Sequence, residues 1–132
     1  MSASYEKVKG FLHELGLHIH QEIPAEEIFI VDDTERGIRK LIIDCEGEIL
    51  VLEQLILQLN PQTPPACYKR LLQMNRQLVH GAFVLDEEGN RLLFRDTLAL
   101  DNLDRNELEA TLNALSMGLA ENGTELLSFV KD

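Results

Sequence analysis

Apolar positions along this chain change their period several times, and each change marks an element. Val8, Phe11, Leu12 and Leu15 recur at helical spacing, which predicts a first helix with Ser4 as its N-cap and Gly16 as its stop. Across residues 17–23 apolar and polar side chains alternate up to Pro24, the pattern of a short strand or an extended lead-in. Residues 28–31 and 38–43 are β-rich runs joined by Asp32-Asp-Thr-Glu-Arg-Gly37, whose turn-forming residues predict a hairpin. The run 49–59 satisfies both periods, because Leu52, Leu55, Ile56 and Leu59 also line one helical face. It is assigned as a strand.

Three prolines in Asn60-Pro-Gln-Thr-Pro-Pro65 can continue neither element, so an internal loop is expected there. A helix over 68–75 follows, then a strand over 81–85, the turn Asp86-Glu-Glu-Gly-Asn90 and a strand over 92–100. Asp104 with Glu107 three residues on is the start of a capped closing helix. Its stripe is Leu108, Thr111, Leu112, Leu115 and Leu119, and Asn122-Gly123 is its expected end. The apolar tail 126–130 then reads as a last helical turn or a docking strand.

Length adds that one domain with its own core is expected from 132 residues. The two cysteines, Cys45 and Cys67, form no CxxC or Cys/His cluster, so free thiols in the cytoplasm are expected. The first residues lack the basic-then-apolar order of a signal peptide, and Glu53 and Gln54 interrupt the longest apolar run, so membrane insertion is not expected. With 12 basic against 23 acidic residues the net charge is −11, which repels nucleic-acid phosphates. Basic residues gather at Arg36, Arg39 and Lys40 and at Lys69, Arg70 and Arg76, without the interleaved aromatics that stack bases.

Candidate chemistry is sparse. His18 and His20 would share one side of a strand, roughly 7 Å apart, and a metal could bridge them with Glu22 or His13, although a His-x-His without an assigned third ligand is ordinarily part of a solvated strand face. The acidic stretches 86–90 and 101–104 lack the ligand order of a calcium loop and suit a turn and a helix cap. Cys67 stands at a helix start, where the dipole lowers a thiol pKa, but has no placed His partner. Asp32/Asp33 and Asp44/Glu46 could divide acid and base roles only if their surroundings separated their pKa values. No phosphate-binding loop or dinucleotide motif occurs. The expectation is therefore no enzyme, no metal and no cofactor.

The helix Leu71-Leu-Gln-Met-Asn75, the hairpin from Gly81 to Phe94 and the segment Leu98-Ala-Leu-Asp-Asn-Leu-Asp104 resemble the class I type III secretion chaperones (the Tir-chaperone family) and the related YbjN-type domains. The resemblance spans roughly residues 28–119. It implies an α+β fold in the order α-β-β-β-α-β-β-α, a three-stranded meander plus a hairpin in an antiparallel sheet with three helices. It further implies an acidic, cytoplasmic, bacterial homodimer that holds an extended segment of a secreted or regulatory partner protein. The alternative is a small regulatory or ligand-sensing domain of the YbjN type with no role in secretion. Contact candidates are Phe29, Val31, Leu50, Leu52 and Ile56 on the sheet, with Arg76 and His80 beyond the second helix. Both alternating sets of residues 28–31 are apolar, as are both sets around Leu50, so each of these strands needs a cover on two faces.

Overall fold

Ser2, not Ser4, caps the first helix, α1 (Ala3–Glu14); its hydroxyl accepts the Tyr5 N–H at 3.1 Å. The earlier start puts Tyr5, Val8 and Leu12 on one buried stripe. Gly16, at φ +76°, turns the chain out of the helix. Residues 2–130 are described in the computed structural model. The strands are β1 (His18–Ile23), β2 (Ile28–Asp33), β3 (Ile38–Glu46), β4 (Ile49–Gln58), β5 (Ala82–Leu85) and β6 (Arg91–Ala99). Two further helices, α2 (Pro65–Asn75) and α3 (Arg105–Ser128), complete the α+β fold.

All neighbours in the sheet are antiparallel, in the order β1-β2-β3-β4-β6-β5. The expected meander and hairpin are both present, and the lead-in before Pro24 is a full strand that adds a fourth member to the meander. The ambiguous run is the strand β4, paired on both sides. A bulge at Ile56 interrupts its register against β6. Leu55 stays opposite Leu93, while Ile56 and Leu57 both pack toward the helices.

The Asp104–Glu107 capping box is formed at α3 as the spacing predicts. Its expected end at Asn122-Gly123 is overturned, because the helix continues to Ser128. A helical glycine costs about 1 kcal/mol against alanine. Here Leu126 and Phe129 offset that cost by burying against Leu71, Met74, Phe83 and Leu92. Asn122 turns its amide back onto the Gly118 carbonyl at 3.0 Å rather than capping a terminus. Pro65 likewise opens α2 three residues before Tyr68, where its missing N–H costs nothing.

Two joined apolar clusters hold the helices to the same side of the sheet. The larger sets Tyr5, Val8 and Leu12 of α1 and Leu108, Leu112 and Leu115 of α3 against Phe29, Val31, Leu41, Ile43, Leu50, Leu52 and Phe94. Tyr5 and Phe29 stack with ring centroids 4.5 Å apart. The Tyr5 hydroxyl donates to Glu22, which also meets Lys9 at 3.2 Å. That hydrogen bond, more than the nearby ammonium, holds the Glu22 carboxyl below its ordinary value of 4.5. Its contribution to stability is thus complete above 4.5 and is lost as pH falls through the lowered folded value. Tyr5→Phe keeps the stacked ring and removes the bond. We expect it to cost about 1 kcal/mol at neutral pH, with the gap to wild type in urea titrations closing on acidification. A gap independent of pH would mean that Glu22 is not coupled to folding.

Candidate partner-binding surface

Strand alternation sends one set of side chains into the helices and leaves the other set on a face that, among the described residues, carries no helix. Register fixes its members row by row. Ile28 lies opposite Asp44, which lies opposite Val51, which lies opposite Thr97. In the next row Ile30, Ile42, Glu53 and Arg95 follow one another across the same four strands. Leu55 and Leu93 extend the apolar part toward β5, where Val84 follows. Ile42 and Leu55 are 43% and 54% exposed, large values for such side chains in the middle of a sheet. Glu53 is held by Arg95 at 2.8 Å.

Phe29, Val31, Leu50 and Leu52 belong to the opposite set, and all four are fully buried beneath α1 and α3. They are core residues, which corrects their assignment as contact candidates. Because residues 28–31 and 49–57 are apolar in both registers, the pattern could not choose the face; helix placement does. Ile56 sits partly buried in the β4 bulge. Arg76 is exposed at the C-terminal end of α2, and exposed His80 lines a cleft of about 270 Å3 with Val79, Ala114 and Met117. The predicted contact set therefore does not converge on one surface.

The two sheet edges differ. On β5, the Asn75 side chain at the end of α2 accepts the Phe83 N–H at 2.7 Å and donates to its carbonyl at 3.1 Å, so this edge is already occupied. Beside it, Tyr68, Leu71 and Leu72 of α2 and Phe83, Val84 and Leu85 of β5 line an apolar groove of about 410 Å3. Leu72 is 73% exposed there. On β1 the edge away from β2 has no strand partner among the described residues.

Groups considered for chemistry are dispersed. A bulge at His20 breaks the His18/His20 alternation, His20 lies 3.6 Å from Asp32, and Glu22 points to the helix side to meet Tyr5. Among the described residues no three His, Cys, Asp or Glu side chains cluster as a metal site. Cys45 is buried, and desolvation pushes its thiol up to about 11, away from reactivity. Asp33 pairs with Arg36, and Asp86 organises its turn by accepting the Asn90 and Arg91 N–H groups. Asp44 is different. Burial, then the carboxylates of Glu46, Glu26 and Glu53, raise its pKa above the usual value. Sequence reasoning missed one core polar group, Gln54, which accepts the Arg39 N–H and donates to the Gly37 carbonyl, tying β4 to the β2–β3 turn.

The CesT_Tir_1 family pattern matches residues 1–132, the length of the chain. The chain belongs to the CesT_Tir_1 family. No curated protein matches it. Among solved structures it is similar to YbjN from E. coli, with 13% identity, a TM-score of 0.70 and 92% of each chain covered. It is also similar to a chain of the heterodimeric ExoU-SpcU complex of the Pseudomonas aeruginosa type III secretion system, with 16% identity, a TM-score of 0.61, and 94% of this chain and 98% of that one covered. A third similar structure is the Yersinia pestis type III secretion chaperone SycH in complex with a fragment of YscM2, with 16% identity, a TM-score of 0.61, and 89% and 98% covered. At these identities the likeness is one of fold, so this CesT_Tir_1 member has the chaperone-like fold. None of its described helices is long and apolar enough to cross a membrane.

Proposed function

We propose that this CesT_Tir_1 protein is a non-enzymatic, cytoplasmic protein-binding domain that holds an extended segment of a partner protein on the helix-free face of its sheet. The observation that carries this reading is the exposure of Ile42 and Leu55 at the centre of a strand array whose other face is fully packed. An extended chain suits such a face, because its alternate side chains match the spacing of strand rows, and the unpaired β1 edge offers backbone hydrogen bonds. Support from relatives is that two similar structures are of a secretion chaperone with a bound fragment and of a heterodimeric secretion-system complex.

The α2–β5 groove is the contact we assign to a second copy of the chain. Its lining is apolar and Asn75 closes the adjacent strand edge, so side-chain packing rather than strand addition would join the copies. The two surfaces are separable by a crossed experiment. Leu72→Glu is expected to halve the mass measured by sedimentation while partner capture from lysate of the source cells persists. Ile42→Asn combined with Leu55→Asn is expected to abolish capture and leave the mass unchanged, with both proteins folded because all three side chains are exposed. Capture that survives the asparagine pair would remove the sheet face from the proposal. The likeness to YbjN, described as a proposed transcription regulator, favours as second reading a small regulatory or ligand-sensing domain, with the cleft at Val79, His80 and Met117 as its pocket.

A further inference from the structure

The helix-free face is apolar at its centre but its charge is one-sided. Ile42 and Val51 floor a depression of about 160 Å3 whose rim is Asp44, Glu46, Glu53 and Arg95. Arg95 is spent on Glu53 at 2.8 Å. Among the described residues no cation pairs with Asp44, Glu46 or neighbouring Glu26. Any chain that covers Ile42, Val51, Ile28 and Ile30 must also remove water from Asp44, and an unpaired carboxylate under a partner costs far more than the apolar contact returns.

We infer that the segment docked on this face is basic as well as apolar, with a lysine or arginine set over Asp44 and Glu46 and apolar side chains on Ile42 and Leu55. A long basic side chain fits this floor because its methylene stem covers Ile42 and Val51 while its head reaches the two carboxylates. A second copy of the chain is disfavoured here: two surfaces of a protein of net charge −11 would bring the same uncompensated carboxylates together. The inference rests on the sheet face being the docking surface and names the chemistry of what docks.

The probes are two 12-residue peptides, one alternating lysine and valine and one alternating glutamate and valine, with binding read by fluorescence anisotropy. Lysine–valine peptide is expected to bind, and glutamate–valine peptide not to. Asp44→Asn with Glu46→Gln is expected to weaken lysine–valine binding at least about fivefold, the effect of losing one half-buried and one exposed ion pair. Glu87→Gln with Glu88→Gln removes the same charge on the β5–β6 turn and is expected to leave binding unchanged. Equal weakening by both pairs would reduce the effect to net charge and overturn the inference, as would no weakening by the Asp44/Glu46 pair. The neutral pair Ile42→Asn and Leu55→Asn separates the two readings. If it abolishes capture of the natural partner while the Asp44/Glu46 pair leaves peptide binding intact, only the basic character is wrong; if it alters neither capture nor peptide binding, the face itself is wrong.

Discussion

Phe29→Asp is expected to leave the protein unfolded rather than merely unable to bind. Phe29 is fully buried, stacks on Tyr5 at 4.5 Å and lies beneath α1. Truncating a buried phenylalanine costs about 3–5 kcal/mol, and an aspartate at this position adds a carboxylate to a fully buried apolar site. Domains of this kind have about 5–15 kcal/mol in total, so the loss takes most or all of it. Circular dichroism and urea titration should show no cooperative transition. Phe29→Leu, which keeps an apolar side chain, should melt cooperatively about 1–2 kcal/mol below wild type. A folded Phe29→Asp monomer that fails to capture its partner would instead put β2 at an interface and contradict the face assignment made here.

That assignment shows where sequence pattern stops. Helical stripes were legible because each has one apolar side: Val8 and Leu12 of α1, and Leu108, Leu112 and Leu115 of α3, pack where periodicity places them. The strands were legible as strands, but a two-sided apolar strand carries no mark of which side its own helices will take. Phe29 and Ile28 are alike by pattern and opposite in fate. The β4 bulge adds a second ambiguity, since it turns Leu57 to the helix side although simple alternation would group it with Leu55. At the end of α3 a local signal, Asn122-Gly123, lost to tertiary burial of Leu126 and Phe129. Asp104–Glu107 faced no such competition and formed as written.

The surface follows from the same competition. With both leucine-rich helices and α2 drawn to one side, the sheet keeps Ile42 and Leu55 in water, and the acidic residues beside Ile42 limit random association. Asp44 and Glu46 thus serve solubility while the face is empty and selectivity when it is filled, since a partner must bring positive charge to displace their water.

Gly81→Ala is expected to be the most damaging single-methyl change in the chain. Gly81 delivers the chain into β5 at φ +73°, and a Cβ there would lie 2.4 Å from the Phe94 ring, which is itself 1% exposed. Left-handed backbone costs a side-chain-bearing residue about 1–2 kcal/mol, and overpacking a closed site costs about 1–3 kcal/mol. Together these predict a loss of about 3 kcal/mol, seen as a lower urea midpoint with unchanged slope. The two causes can be separated by Phe94→Leu, which removes the obstructing ring but not the backbone penalty. In the double variant the steric part should vanish, leaving it about 1–2 kcal/mol more stable than the sum of the single losses. Strict additivity would mean that the ring moves aside at little cost, and that φ alone requires glycine at the entrance to β5.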